Sequence, residues 1–275
     1  MVASIGDLTT TAPLGDLLRH WRSVRRMSQL DLASEAATTP RYVSFVETGR
    51  SVPSREMVVR LAVALGVPLR ERNALLVAAG YAPLYRAEPL DAPQMGRVEA
   101  AVAVMLEQHD PFPAVVMDRA WNVLRANDGA QLLFGRLLAP GPPPDAPNVL
   151  RLMVGPGPVR ERVENWEQVA PMLLDRARRE AVSGVFDAAT AELVAELRAL
   201  PEVAAATDRT ATRPVPTPVV DVRFRLGDLR IDFFSLVSTV GSPIDVTAQE
   251  LRVETFFPSD DATAASWRAV AQRST

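Results

Sequence analysis

Cysteine is absent from this chain of 275 residues, and histidine occurs only twice, at His20 and His109. A chain without cysteine forms no disulfide bond and no thiolate metal site, and two histidines so far apart in sequence make no metal-binding pattern. The sequence also lacks a phosphate-binding glycine loop and a nucleophile-elbow motif. We therefore expect no metal ion, no cofactor and no catalytic residue.

Long apolar runs are missing too, since none approaches the ~18 residues that a membrane-spanning helix needs. The N-terminal residues 1–13 are polar and threonine-rich, and they lack the basic and apolar segments of a secretion signal. We expect these residues to form a disordered tail and the protein to be soluble and cytoplasmic. The length of 275 residues predicts about two domains.

Lysine is the third absence, because all 30 basic residues are arginine. The abundance of alanine, proline and glycine indicates a bias toward GC-rich codons rather than an adaptation to binding. Residues 14–86 contain eleven arginines and six acidic residues, so this part carries a formal charge of +5, while residues 87–275 carry -7. A basic module on an acidic body indicates that only this module approaches phosphates.

Residues 14–81 have the capping pattern of five short helices. The apolar spacing from Leu14 to Val24 predicts a first helix that ends at about Arg26. Capping residues mark the starts of the later helices, namely Ser28 with Asp31, Thr39 with Pro40, Pro53 with Ser54, and Pro68. Glycines end the last three helices at positions 49, 66 and 80. We predict a mainly α domain here.

Three runs of residues carry a family resemblance. They are Ser28-Gln29-x-x-Leu32-Ala33, Thr39-x-x-x-Val43-Ser44-x-Val46-Glu47-x-Gly49-Arg50 and Leu61-Ala62-x-Ala64-Leu65-Gly66-Val67. In this order they resemble the phage-repressor-type helix-turn-helix of the xenobiotic-response-element (XRE) regulator family. The resemblance covers Leu14 to Tyr81 and implies a transcription regulator that binds double-stranded DNA. Ala37 departs from the glycine that the family often has in the turn, so we expect a slightly different turn.

The third helix is expected to lie in the major groove. Its outward positions Pro40, Arg41, Ser44 and Phe45 would face base edges, with Arg41 pairing to guanine and the two apolar side chains meeting thymine methyls. The expected phosphate contacts are Gln29, Thr39 and Arg50.

Two positions near this surface leave alternatives open. Phe45, like Tyr42, can simply cover the domain surface. Glu47 can read cytosine, although the resemblance implies an ion pair between Glu47 and Arg22 of the first helix.

Residues 82–94 contain several prolines and are expected to be a linker to a second domain, residues 95–273. The patterns predict two short strands at 114–118 and 121–126, three later strands at 220–226, 229–237 and 251–257, and a closing helix at 261–272. The helices predicted in between lie at 95–109, from Asn127 to 138, at 159–183 and at 188–200, followed by a polar stretch at 206–218. This order predicts an α+β domain with helices on one side of an antiparallel sheet.

The motif Asp118-Arg119-x-Trp121-x-Val123-x-x-x-Asn127, the run Asn148-Val149-Leu150-Arg151-Leu152 and the later Trp166 resemble the MmyB-like ligand-binding domain. The resemblance implies a PAS-like fold with a pocket for a fatty-acid-like or other small apolar ligand. Candidate pocket residues are Phe112, Trp121, Asn127, Phe134, Trp166, Phe233 and Phe234. Each aromatic side chain can equally be ordinary core, Asn127 can merely cap its helix, and Arg125 is another candidate for a polar head group.

Three functions follow from these features. The first is a homodimeric regulator of a palindromic operator, with recognition helices about 34 Å apart, whose second domain senses the ligand. The second keeps DNA binding but makes that domain a dimerisation or docking platform without a ligand. The third, an enzymatic second domain, has no catalytic motif to support it.

Overall fold

The computed structural model describes residues 12–142, 144–182, 188–210 and 219–273. The described residues divide into two compact units, of which the first contains residues 12–88 and 242–249, and the second contains nearly all the other described residues. The expected tail, apart from residues 12 and 13, and residues 211–218 of the expected polar stretch lie outside the described residues.

The first unit has the five helices that the capping residues predict. They are α1 (Leu14–Val24), α2 (Gln29–Glu35), α3 (Pro40–Glu47), α4 (Arg55–Ala64) and α5 (Leu69–Ala78). The capping box at α2 is confirmed, because the Ser28 hydroxyl accepts from the Asp31 amide and the Asp31 carboxylate accepts from the Ser28 amide. The caps at Thr39 and Ser54 are also confirmed, since each hydroxyl accepts from the amide three residues further along the chain.

The turn between α2 and α3 differs from the expectation. Ala37 adopts a φ of 48°, which is the left-handed conformation that glycine favours. A side chain in this region costs roughly 1–2 kcal/mol. The expected alternative turn is therefore wrong: alanine makes a turn suited to glycine and bears the strain. Gly49 has a φ of 71° and ends α3 as predicted.

The core of the first unit is apolar and closely packed. Leu18, Leu32, Leu61 and Leu75 have almost no exposed surface. Helices α1 and α3 approach each other so closely at Gly15 that a Cβ atom there would lie 2.4 Å from the carbonyl oxygen of Glu47. The second and third helices are thus held on a rigid base.

Residues 242–249 also belong to the first unit, although the sequence analysis assigned the whole range 95–273 to the second domain. The amide of Val246 donates to the carbonyl of Arg86 at 2.8 Å. The side chain of Gln249 accepts from the amide of Leu69 at 2.7 Å. Because Pro68 offers no side-chain cap, Gln249 satisfies a donor at the start of α5 that would otherwise face no acceptor.

The second unit contains a five-stranded sheet with strand order β2-β1-β5-β4-β3. Its strands are β1 (Ala114–Met117), β2 (Val123–Ala126), β3 (Val222–Leu226), β4 (Leu229–Thr239) and β5 (Arg252–Pro258), and every neighbouring pair is antiparallel. The predicted α+β class and the five predicted strands are confirmed, with ends shifted by a residue or two.

The described helices that follow α5 begin with α6 (Gly96–His109), α7 (Asp128–Leu138), α8 (Val149–Val154), α9 (Pro158–Glu161) and α10 (Trp166–Val182). Further along the chain come α11 (Ala188–Arg198), α12 (Pro201–Thr210), α13 (Val246–Glu250) and α14 (Asp261–Gln272). The single helix predicted for 159–183 is wrong. Val163 forms an isolated bridge to Phe224, and Arg225 donates its amide to the carbonyl of Arg162, so β3 interrupts the helical run.

Helices cover both faces of the sheet, so the prediction of helices on one side is wrong. Val102 and Leu106 of α6 pack against Val116 on one face. Phe234 of β4 points to the same face of the sheet as Val116. Phe233 precedes Phe234, and adjacent residues of a strand point to opposite faces, so Phe233 lies on the other face. On that opposite face Phe233 meets Trp267 of α14, with ring centroids 5.7 Å apart.

Helix α12 was missed because the end of its sequence is polar. The helix begins at Pro201, and proline at the first helical position is a signal for the start of a helix. The part of the expected polar stretch that the structure describes, residues 206–210, belongs to this helix.

Candidate DNA-binding surface and ligand-binding domain

The outward face of α3 carries the residues expected to contact DNA. Pro40 and Arg41 are exposed, and Ser44 and Phe45 are partly exposed. Val43 and Val46 turn the other way and are buried. The guanidinium carbon of Arg41 lies 5.2 Å from the centre of the Phe45 ring, within the range of a cation–π contact. The two side chains thus form one unit of the surface.

Glu47 lies at the end of α3 and has only 2% of its side chain exposed. Its carboxylate accepts from Nε of Arg22 at 2.7 Å, from Nη2 of Arg22 at 3.1 Å and from Nε2 of Gln29 at 2.8 Å. The ion pair with Arg22 is confirmed, and the cytosine-reading alternative is excluded because the carboxylate is already occupied and buried. The Gln29 side chain, expected at a phosphate, is held by Glu47 through its amide nitrogen.

The environment of Glu47 favours its charged form. Burial raises the pKa of this carboxyl, but the hydrogen bonds from Arg22 and Gln29 and the positive charges of Arg22 and Arg19 lower the pKa by more. The hydrogen bond to Glu47 likewise raises the pKa of Arg22 against the effect of its own burial. The pair therefore stays ionised in the folded unit.

The two remaining phosphate candidates sit at opposite ends of α3. The Thr39 hydroxyl accepts from the amide of Tyr42 at 3.2 Å, so its first role is to cap the helix. Arg50 follows the helix and is exposed.

Two arginines of the basic module have roles that no sequence pattern indicated. Arg19 donates to the carbonyl of Glu47 at 2.7 Å, and Arg25 donates to the carbonyl of Leu65 at 2.9 Å. Each places a positive charge at the carboxyl end of a helix, where the helix dipole favours it. These contacts join residues 28 and 40 positions apart, which is why local spacing does not reveal them.

In the second unit the structure brings only some of the candidate pocket residues to one side of the sheet. Phe233 is buried and lies on the face of β4 opposite to Phe234, which instead stacks on Phe257 at 5.6 Å. Trp166 donates to the carbonyl of Met153 at 3.0 Å and lies under the guanidinium of Arg160 at 3.8 Å. The prediction that Phe233 and Phe234 line a common pocket is therefore wrong.

The other candidate aromatic residues differ from one another in their exposure and contacts. Phe112 and Phe134 are partly exposed, and Phe112 has the guanidinium of Arg268 at 5.1 Å from its ring centre. Trp121 is buried and has a φ of 68°, a genuine outlier for a bulky residue. The guanidinium carbon of Arg176 lies 4.6 Å from the centre of its ring.

Asn127 is fully occupied by the protein. Its side-chain oxygen accepts from the amides of Ala114 and Ala130 at 2.8 and 2.9 Å, and its nitrogen donates to the carbonyls of Phe112 and Leu106 at 2.8 and 3.3 Å. All four hydrogen-bonding positions of the amide are used. The assignment of Asn127 to a ligand head group is therefore wrong, and its structural alternative as the cap of α7 is confirmed.

The other head-group candidate, Arg125, is also engaged. It forms an ion pair with Glu99 of α6. Arg125 pairs in register with Val116, so it belongs to the face of the sheet that α6 covers.

A cluster of charged side chains on the other face was missed by the sequence analysis. Arg176 of α10 binds Glu254 of β5 through Nη1 at 2.9 Å and Glu180 through Nε at 2.9 Å. Arg252 of β5 lies near Glu180, with Nε and Oε2 3.5 Å apart. Burial lowers the pKa of Arg176, but the charges and hydrogen bonds of Glu254 and Glu180 raise it by more. We call Arg176, Glu180, Arg252 and Glu254 the inner ionic cluster.

The described residues contain neither a candidate membrane span nor a candidate metal-binding group. None of the helices that the structure describes is long and apolar enough to span a membrane. Within the same residues there is no group of three or more histidine, cysteine, aspartate or glutamate side chains that would hold a metal ion.

The exposed recognition helix on its rigid base defines a helix-turn-helix DNA-binding protein. Residues 13–75 match the family model of a helix-turn-helix domain, and residues 98–269 match that of the MmyB-like transcription regulator ligand binding domain. The second match covers more than half of the chain. The protein therefore belongs to the transcription regulators with an MmyB-like ligand-binding domain.

Similar proteins match about a quarter of this chain. Multiprotein-bridging factor 1 of Debaryomyces hansenii is 31% identical over 74 residues, which are 26% of this chain and 49% of that protein. The protein of the same name in Candida albicans is 30% identical over 60 residues, 22% and 40% of the two chains. An HTH-type transcriptional regulator of Archaeoglobus fulgidus is 35% identical over 60 residues, 22% and 26%. The matched part spans less than half the length of each relative.

Proposed function

We propose that this protein is a cytoplasmic, homodimeric regulator that binds a palindromic operator and changes its DNA affinity when a fatty-acid-like molecule binds to a PAS-like second domain. The observation that carries the proposal is the outward face of α3, presented by a base whose helices are tied together through Glu47. The match of residues 98–269 to a ligand-binding domain supports the sensing half.

The DNA-reading roles fall to a few side chains. Arg41 is exposed at the amino-terminal end of α3, where it would donate two hydrogen bonds to guanine O6 and N7. Ser44 and Pro40 complete the base-facing surface, and Phe45 positions Arg41 through their cation–π contact. Thr39, Arg50 and the amide groups at the start of α2, beside Gln29, would bind phosphates and set the register.

The sensing role rests on the interior of the second unit. Phe233 and Trp121 are large, fully buried and apolar, which suits the tail of a fatty-acid-like molecule. Such a ligand regulates only if it binds two states of the protein with different affinities, since equal affinity shifts no equilibrium. An increase or a decrease in operator affinity is compatible with this scheme.

Fluorescence anisotropy with a labelled DNA fragment that carries the inverted repeats around the protein's own promoter tests the DNA-binding half. We expect the wild-type protein to prefer this fragment over a scrambled one of the same length. Arg41→Ala should relax the preference for the guanine position by about 1–3 kcal/mol. Equal binding of both fragments by the wild type at low salt would overturn sequence-specific regulation.

Solvent extraction of the purified full-length protein, followed by mass spectrometry, tests the sensing half. A fatty acid recovered in near-equal amount to the protein supports it. Recovery of no small molecule from the protein, together with no binding of added fatty acids, contradicts it.

A docking platform is the second candidate function. Leu236 of β4 is 52% exposed, and Val237, on the other face of the sheet, is 39% exposed. Exposed apolar side chains on a strand fit a protein-binding surface. Native mass spectrometry separates the two candidates, because a sensor carries a small molecule in each chain, whereas a docking platform forms assemblies without one.

A further inference from the structure

The inner ionic cluster lies on the face of the sheet that also carries the buried aromatic side chains. Arg252 pairs in register with Met117 and Thr239, and Glu254 pairs with Val115 and Val237. In paired antiparallel strands, directly opposed residues point to the same face. Arg252 and Glu254 therefore share the face of β4 that bears Phe233, and α10 brings Arg176 and Glu180 over it.

The hydrogen bonds within the cluster are unevenly distributed between its two arginines. Glu254 accepts from both terminal nitrogens of Arg176, at 2.9 and 3.3 Å, and from the hydroxyl of Ser235. Glu180 accepts from Nε of Arg176 through Oε1. Oε2 of Glu180 is buried and accepts no hydrogen bond within the described residues. Among the described residues, Arg252 has only the 3.5 Å approach of its Nε to Oε2 of Glu180 as an ion-pair contact.

Arg252 therefore keeps donor capacity in the interior. Its Nη1 is buried and has no hydrogen-bond partner within the part of the chain that the structure describes. Roughly nine in ten buried polar groups in proteins have a partner, and an unmet charged donor is the costly exception. Such a donor calls for an explanation, and an acceptor atom of a bound ligand is one that the described residues do not themselves supply.

Trp121 provides a second observation beside the cluster. Trp121 is buried and its backbone has a left-handed conformation. Its ring packs on the guanidinium of Arg176. Asp118 supports the conformation by accepting from the amides of Ala120 and Asn122 at 2.8 and 2.9 Å. Strained residues that their surroundings maintain cluster at ligand clamps and active sites. Arg176 is thus held from two sides. Within the inner ionic cluster this leaves Arg252 as the arginine with a buried nitrogen that has no partner among the described residues.

We propose that Nη1 of Arg252 receives the carboxylate of the ligand, and that the ligand is an amphipathic carboxylate whose apolar tail lies along the face of Phe233 and Met117. This inference rests on the proposed sensing function and names its polar contact. A guanidinium is suited to the role because it stays charged and its donors match the two oxygens of a carboxylate. The proposal also replaces Asn127 and Arg125, which the structure shows to be engaged elsewhere.

The test compares dodecanoate with methyl dodecanoate, because the two share a tail and differ in the charge of the head. Isothermal titration calorimetry on the full-length protein should show that the wild type binds dodecanoate at least about tenfold more tightly than the ester, the effect of one hydrogen bond to a charged group. Arg252→Gln should weaken dodecanoate binding and reduce the preference to less than about threefold. Arg252→Lys should retain part of it because the charge remains.

Arg223→Gln is the matched control. Arg223 is also a strand arginine, but it lies on the opposite face, paired with Asp232, so its replacement should leave the preference unchanged. Equal binding of acid and ester by the wild type overturns the role of Arg252. This comparison does not depend on whether any variant folds. A preference that survives in Arg252→Gln does the same. If neither compound binds, fatty-acid sensing itself fails and the inference fails with it, an outcome distinct from equal binding.

Discussion

Replacement of Glu47 by alanine tests the idea that the recognition helix depends on a buried ion pair. The substitution removes the acceptor of three hydrogen bonds, two from Arg22 and one from Gln29. It leaves the Arg22 side chain, which is only 18% exposed, without its carboxylate partner. Removal of one member of a buried pair costs about 3–5 kcal/mol, because the remaining charge stays poorly solvated.

The lower end of that range is expected here. Arg22 is not fully buried, and it keeps a hydrogen bond from Nη1 to the carbonyl of Met27 at 3.0 Å. We therefore predict that Glu47→Ala lowers the free energy of unfolding of the first unit by about 3 kcal/mol. Glu35→Ala, on the exposed end of α2, is the control and should change it by no more than about 0.5 kcal/mol.

Urea denaturation followed by circular dichroism measures the change, since urea does not screen the ion pair as guanidinium chloride does. Hydrogen exchange of peptides from α1 to α3 assigns the loss to the first unit. A loss below about 1 kcal/mol, or one equal to that of Glu35→Ala, would refute the reasoning, because it would make the pair no stronger than an exposed one.

The stability that Glu47 contributes depends on pH, and the direction of this dependence can be predicted. The pKa of Glu47 is lowered in the folded unit, so its contribution is fully present above the unfolded pKa of about 4.3 and is lost as the pH falls through the folded value. The difference in stability between wild type and Glu47→Ala should therefore be constant between about pH 6 and 8 and should shrink below about pH 4.

Three further predictions concern close packing, a buried amide and a phosphate contact. Gly15→Ala should destabilise the first unit by about 1–3 kcal/mol because its Cβ would lie 2.4 Å from the Glu47 carbonyl oxygen, whereas Gly135→Ala, with open space around it in α7, should stabilise by about 0.5–1 kcal/mol; thermal denaturation compares them. Asn127→Ala should cost at least about 3 kcal/mol in urea denaturation, since it leaves four hydrogen-bonding groups unmet, and a smaller loss would show that water replaces them. Arg50→Ala should weaken binding to all DNA sequences alike and reduce the salt dependence of log K by about one unit, and a sequence-selective loss in anisotropy titrations would assign Arg50 to a base.

Local chemistry explains why the first unit could be predicted so closely. Ser28 with Asp31, and Thr39 with Pro40, act within one turn of a helix, so their caps are written in adjacent positions of the sequence. The pairing of Glu47 with Arg22 spans 25 positions and came from the family resemblance rather than from spacing. The strain at Ala37 was not foreseen because the turn is set by the helices that it joins.

The interior of the second unit was harder to predict for the opposite reason. Alternation along β4 separates Phe233 from Phe234, yet both are equally apolar, so composition alone placed them in one pocket. The inner ionic cluster joins Arg176 to Glu254 across 78 positions, a distance at which no spacing rule operates. Nor does the local pattern of β5 indicate that α10 covers Arg252 and Glu254.

The tie between Glu47, Arg22 and Gln29, together with the close approach of Gly15 to the end of α3, has a consequence for regulation. A recognition helix held by both preceding helices has no room to tilt in small steps, because packed cores deform between discrete arrangements rather than continuously. A ligand in the second domain can then change how often this unit engages DNA but not which bases it favours. Titrations with a series of operator variants should show affinities that rise or fall by one common factor, with their ranking preserved.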